Sequence, residues 1–204
     1  MKGSFIMDIE KLIKNLQLRG FSVQHFGTAG EMVSYLSEEI NGCEVGIGGS
    51  QTVKDSGLYE ALKANNTIHW HWTDKDSDVL EKEIASEVFI TGANAVSESG
   101  EIVNIDGRGN RLAAQVYGIG KRVYILAGQN KLCPDLSSAI DRAHNVAAVK
   151  NGNRFPTKTP CKIDGKCHDC LSPDRICRAT LIIHKPLMDM KKMEVILVDE
   201  DLGF

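Results

Sequence analysis

The sequence predicts an α/β fold built on a mainly parallel sheet with helices on both faces. Two observations carry this reading. Strand-like and helix-like apolar patterns alternate along the whole chain. The runs Val-Tyr-Ile-Leu-Ala at 123–127 and Val-Ile-Leu-Val at 195–198 are continuously apolar, as strands buried on both faces are. The 204 residues fit one compact domain, expected over residues 1–204, with a cysteine-rich loop at 156–178 inserted before the last strands.

The elements follow in order. Ile6, Ile9, Ile13 and Leu16 recur at helical spacing, and Gly20 stops that helix. Residues 21–26 alternate like a strand. Residues 31–40 read as a helix with Met32, Leu36 and Ile40 on one face. A short buried strand at 44–47 runs into Gly46, Gly48 and Gly49, and 56–63 is helical. Residues 67–72 are β-like, 77–86 form a short helix, and 88–90 and 101–105 are strands. Residues 111–117 are helical and 122–127 form a β-branched, apolar strand. A long helix spans 134–150, with Leu136, Ile140, Ala143 and Ala147 in register. Strands at 179–184 and 194–198 close the chain. Ligands in such folds bind beyond the carboxyl ends of strands, which singles out the loops after Ile47, Ile90, Ile105 and Ala127.

Composition excludes several classes. Lys and Arg number 24 against 27 Asp and Glu, a net charge of −3. A nucleic-acid binder needs a basic surplus on one face, so none is expected. No apolar run approaches the roughly 18 residues of a membrane span. The early run Phe5-Ile6-Met7 is too short for a secretory signal, so a cytoplasmic location and reduced thiols are expected.

Five constellations could carry chemistry. Gly46-Ile-Gly-Gly-Ser-Gln-Thr52 lies between a strand and a helix. Its glycines and the hydroxyls of Ser50 and Thr52 suit a phosphate or carboxylate, though a tight packing turn needs the same residues. Thr91-Gly-Ala-Asn-Ala-Val-Ser-Glu-Ser-Gly100 suggests a pocket wall. Its Glu98 reads as a nucleophile or general base, or as an exposed turn glutamate. In Asn104-Ile-Asp-Gly-Arg-Gly-Asn-Arg111, Arg108 and Arg111 could clamp an anion bidentately. Alternatively, Asp106-Gly107 makes a turn and Asn110 caps a helix.

Cys161, Cys167, Cys170 and Cys177 have spacing that suits zinc or an iron–sulfur cluster, with free or redox thiols as the alternative. Residues 150–178 hold seven basic and three acidic residues, cations that would offset gathered thiolates. Cys43 and Cys133 read as buried apolar thiols. His69-Trp-His-Trp72 would place both His on one strand face and both Trp on the other. That is the pattern of an exposed or interface strand, since a metal site would need further ligands. A homo-oligomer is a separate expectation.

Residues 91–111 and 123–131, with the glycine-rich loop at 46–52, closely resemble the lactate-utilization (LUD) domain family, once a domain of unknown function. The resemblance covers roughly residues 8–200. It implies a three-layer α/β/α sandwich like that of ribose-phosphate isomerase, glucosamine-phosphate deaminase and the CoA transferases. It adds Asn94, Gly107, Gly128, Asn130 and Lys131 to Gly46, Gly48, Gly49, Ser50, Thr52, Asn104, Asp106, Asn110 and Arg111 as positions for a small anionic ligand. The implied role is L-lactate or related organic-acid utilization beside iron–sulfur electron-transfer proteins. Larger relatives carry ferredoxin-like cysteine motifs, whereas this chain has only the 161–177 loop. Similarity to CoA transferases implies an alternative: a CoA- or sugar-phosphate-dependent transferase or isomerase using Glu98. A non-enzymatic sensor or assembly subunit is the third reading.

Overall fold

A computed structural model describes residues 7–204. Ile6, expected in the first helix, lies outside the described residues. The chain begins with α1 (Ile9–Leu18), β1 (Ser22–Phe26), α2 (Ala29–Glu39), β2 (Glu44–Ile47), α3 (Gln51–Asp55), α4 (Leu58–Leu62) and β3 (Thr67–His69). It continues with α5 (Val79–Ala85), β4 (Val88–Gly92), β5 (Ala95–Ser97), β6 (Ile102–Asp106), α6 (Asn110–Val116) and β7 (Arg122–Gly128). A 3₁₀ turn (Gln129–Lys131) leads to β8 (Leu132–Cys133) and α7 (Leu136–Arg142). Then come a π-helical stretch (Ala143–Ala148), α8 (Val149–Gly152), α9 (Cys161–Asp164), β9 (Ala179–Ile183) and β10 (Lys192–Val198).

Six strands form a wholly parallel sheet in the order β1-β10-β7-β4-β2-β3. The apolar runs of β7 and β10 pair in its middle, as their composition requires. Met32, Leu36, Val53, Leu58 and Leu62 from α2, α3 and α4 bury against one face of this sheet, over Ile47, Ile90, Leu126 and Ile196. Leu12 and Leu16 of α1 and Ala114 of α6 bury against the other, over Phe89, Val123, Ile125 and Val195. Each fully buried leucine contributes roughly 1.5–3 kcal/mol of apolar transfer.

Local signals set the helix ends. Asp8 caps α1 by accepting the Lys11 N–H at 3.0 Å. Thr28 and Glu31 close a capping box at α2. The helix expected over 56–63 is α4, and a separate helix, α3, precedes it, with Gly57 (φ +75°) turning the chain between the two. The β-like stretch expected to reach residue 72 stops at His69, and the chain turns through Trp70.

A second, four-stranded sheet in the order β8-β5-β6-β9 was not expected. Val96, Ile102 and Ile183 of this sheet join the core under the large sheet. Its opposite side, with Ala95, Val103 and Ile105, packs on Ala139 and Ala143 from α7 and the π-helical stretch. The large sheet is therefore flanked by helices on both faces, with the small sheet sharing one of them.

Candidate functional site

Beyond the carboxyl ends of β2, β3 and β4 the loops part around a cleft of about 880 Å³. Gly49, Ser50 and Thr52 follow β2, His71 and Trp72 follow β3, and Gly92, Ala93 and Asn94 end β4. Asp106 ends β6, Gly107 follows it, and Asn110 and Arg111 open α6. Arg154, Phe155 and residues 173–178 of the cysteine loop complete the wall.

The lining is strongly cationic. Lys54, Lys75, Arg108, Arg111, Lys131, Arg154, Arg175 and Arg178 face Asp106 and Asp174 alone among acids. Among the described residues Arg175 forms an ion pair, with Asp169, and the other seven cations pair with no carboxylate. Uncompensated positive charge in a concave, partly desolvated wall attracts anions. The Arg154 guanidinium stacks on Trp72, 4.2 Å from the ring centroid, and burial pulls its pKa down.

Arg111 enters from the first turn of α6, and Gly48 makes room for it: a Cβ there would sit 2.7 Å from Arg111 Cγ. Its Nε donates to Thr91 Oγ1 at 3.2 Å and Nη1 to the Ile105 carbonyl at 3.2 Å. Nη2 donates to the Gly92 carbonyl at 3.3 Å and to Asn104 Oδ1 at 3.0 Å. Four of its five N–H groups thus tie β4 to β6. A bidentate clamp on a ligand, one expectation from sequence, would need donors already engaged. What Arg111 offers the cleft is charge. Burial lowers its pKa, opposed by Asp106.

Lys131, at the end of the 3₁₀ turn, is 2% exposed. Its Nζ hydrogen-bonds to Thr52 Oγ1, and Gly92 lets Thr52 come close: a Cβ there would meet that hydroxyl at 2.6 Å. Burial, with Arg142 and Arg111 nearby, brings its pKa down to about 7.

His71 is oriented from beneath. Its backbone N–H and ring Nδ1 both donate to Glu83 Oε1, at 2.7 and 2.6 Å, and Asn110 Nδ2 donates to Glu83 Oε2 at 3.2 Å. Glu83 is wholly buried on α5. The Nδ1–H tautomer leaves Nε2 as the free ring nitrogen, beside Gly49 at the cleft wall.

Sequence comparison matches the LUD domain family model over residues 9–198. The chain belongs to the LUD domain family. A crystal structure of a DUF162 family protein from Deinococcus radiodurans is similar at 12% identity and a TM-score of 0.55. The match covers 93% of this chain and 95% of that one. A structure of eIF2B beta from Chaetomium thermophilum aligns over 62% of this chain and 39% of its own, at 21% identity and a TM-score of 0.31, too distant to bear on the fold. No curated protein matches.

The LUD domain brings Gly49, Ser50, Thr52, Asn94, Asp106, Gly107, Asn110, Arg111 and Lys131 to the cleft. The other expected positions support it from outside. A Cβ on Gly46 would collide with the Glu83 carbonyl at 2.2 Å, so this glycine seats α5 against β2. Asn104 is fully buried and joins Arg111 to Gln115. Gly128 gives space to Glu200 and Leu202, and Asn130 bonds Leu202 and Gly203. Asp106 makes the turn foreseen for it, accepting from Gly107 and Arg108, and also takes the Arg111 N–H at 3.1 Å. Gly109 rather than Asn110 occupies the N-cap of α6, which frees the Asn110 amide for Glu83.

Glu98 lies away from the cleft lining, in the turn between β5 and β6. There Lys11 of α1 bonds its carboxylate, Asn15 bonds its carbonyl at 2.7 Å, and its N–H reaches the Cys133 carbonyl at 2.7 Å. Its surroundings are those of a turn glutamate that anchors α1.

Cys161, Cys167, Cys170 and Cys177 are free thiols, each partly exposed. Among the described residues no three His, Cys, Asp or Glu side chains are grouped to hold a metal ion. As arranged, the four thiols do not fit zinc or an iron–sulfur cluster. Arg175 organises the loop instead, donating to the Cys177 carbonyl at 2.7 Å and the Cys170 carbonyl at 2.9 Å. The loop's Arg175 and Arg178 line the cleft, as does Arg154, and Arg175 also lies beside the Cys177 thiol. Cys133 is buried and its thiol pushed up to about 11, while Cys43 is half-buried beside Arg122.

Sequence pattern does not single out Glu83 or Arg154, and it places His71 and Trp72 on a strand instead of at the cleft. Strict alternation over 69–72 hid the turn at Trp70 that sends His71 and Trp72 into the cleft. For Glu83 one signal existed: it follows Val79 at i, i+4 on the buried stripe of α5.

Proposed function

We propose that this LUD-domain protein binds a small organic anion in the cleft and takes part in L-lactate or related organic-acid utilization. It would do so in the cytoplasm, beside iron–sulfur electron-transfer proteins. The observation that carries the reading is the cleft lining, where Lys54, Lys75, Arg108, Arg111, Arg154 and Arg178 have no carboxylate partner among the described residues. Such charge is costly to gather unless an anion completes it. Family membership supplies the metabolic context. The cleft also presents the His71 imidazole, oriented by Glu83.

The acyl-transfer alternative needs a glutamate at the anion, and Glu98 is engaged elsewhere, with Lys11 and Asn15. Equilibrium dialysis with L-lactate and pyruvate tests the binding. Saturable uptake that weakens at high salt is expected, and no uptake of either acid sinks the claim. Growth on L-lactate after gene deletion tests the pathway, where unchanged growth would remove the metabolic role.

A further inference from the structure

The most unusual group in the cleft is Lys131. A lysine that is 2% exposed ordinarily meets a carboxylate, and among the described residues this one does not. Its Nζ has a single neutral partner, the Thr52 hydroxyl. Arg111 and Arg142 add positive charge nearby, against Asp55 alone. Burial and those two cations act together to favour the uncharged amine near neutral pH. An uncharged, desolvated primary amine is a nucleophile whose partner is a carbonyl carbon.

The surroundings restrict which carbonyl. Arg111 and Arg154 offer unpaired positive charge in the same cleft, so the partner carries an anionic group. Resting on the anion-binding reading above, we propose that Lys131 forms an imine with a small carbonyl compound bearing a carboxylate or phosphate.

The Nζ lone pair attacks the carbonyl carbon, forming a C–N bond while the π electrons move to oxygen. The carbinolamine then loses that oxygen as water, which carries off both amine hydrogens. Amine and carbonyl thus become imine and water, with no change of oxidation state. Thr52, bonded to Nζ, is the positioning residue that holds the amine at the wall.

The test incubates the full chain with pyruvate in one arm and glyceraldehyde 3-phosphate in another, each with sodium borohydride, followed by peptide mass mapping. The expected result is a reduced adduct on Lys131, at least tenfold above any surface lysine such as Lys11, in one arm or both. The arm that labels identifies a 2-oxo acid or a phosphorylated carbonyl compound. Lys131→Met should abolish the adduct, and Thr52→Val should lower it without unfolding the chain.

Equilibrium dialysis of the same two compounds, without borohydride, runs alongside. Binding of either compound with no Lys131 adduct overturns the imine while the anion reading stands. No binding of either compound and no adduct overturns both. Labelling spread equally over surface lysines also overturns the proposal.

Discussion

Glu83 grips His71 at two points with one oxygen: Oε1 accepts the backbone N–H at 2.7 Å and ring Nδ1 at 2.6 Å. The pair joins the loop after β3 to α5, and Asn110 adds α6 through the second oxygen. Three donors therefore converge on one carboxylate that water does not reach. Glu83→Ala leaves them without it and should cost about 3 kcal/mol, the scale for orphaned buried donors. Thermal unfolding should show Tm falling by roughly 6–12 °C for a chain of this size. Glu83→Gln keeps one acceptor and should lose less. An unchanged Tm in Glu83→Ala would show that these bonds contribute nothing net.

Lys131 links pH to stability. Its amine is held near 7 in the fold by burial, against 10.5 ordinarily. Between these values the unfolded chain binds a proton that the folded chain does not, so stability rises with pH across this window. Below it, the fold carries a buried charge. Lys131→Met removes that penalty. The variant should melt above the parent at about pH 6, with an advantage that shrinks by about pH 9. An advantage that grows with pH would contradict the lowered pKa.

Trp72 reports on the cleft. It stacks on Trp70, 5.2 Å between centroids, and carries the Arg154 guanidinium over its ring. An anion drawn to Arg154 should change the indole emission, giving a binding curve by fluorescence titration. Arg154→Ala should raise Kd about tenfold, equal to about 1.4 kcal/mol. If Arg154→Ala leaves Kd unaltered, Arg154 is no part of the anion site.

The cysteines should divide by reactivity. Cys161, Cys167, Cys170 and Cys177 are partly exposed and should label promptly with a thiol reagent. Cys133 should resist until the chain unfolds, since burial raises its pKa to about 11. In the arrangement held by Arg175, a chelator should leave the loop thiols' rates unchanged. Slow labelling that a chelator accelerates would show that a metal regathers the loop.

Much of the fold was readable because it rests on long periodic segments. Met32 and Leu36, and the apolar runs of β7 and β10, declare helix and buried strand directly. β5 and β8, of three and two residues, are too short for period to speak, so the second sheet went unseen. The strand-end loops pointed to the cleft, but the contacts inside it join distant parts of the chain. Lys131 meets Thr52 across 79 positions, and no local pattern encodes that pairing. The cysteine spacing points to sulfur ligation, and spacing alone does not encode that Arg175 bonds the Cys170 and Cys177 carbonyls.

The cationic cleft sits in a chain whose net charge is −3. The acidic surplus therefore lies outside it, so the cleft and the rest of the chain carry net charge of opposite sign. Small anions meet a net negative remainder and a positive cleft, a contrast that favours encounters at this opening. Capture should slow steeply as ionic strength rises, because counter-ions flatten that contrast before they weaken contacts within the cleft.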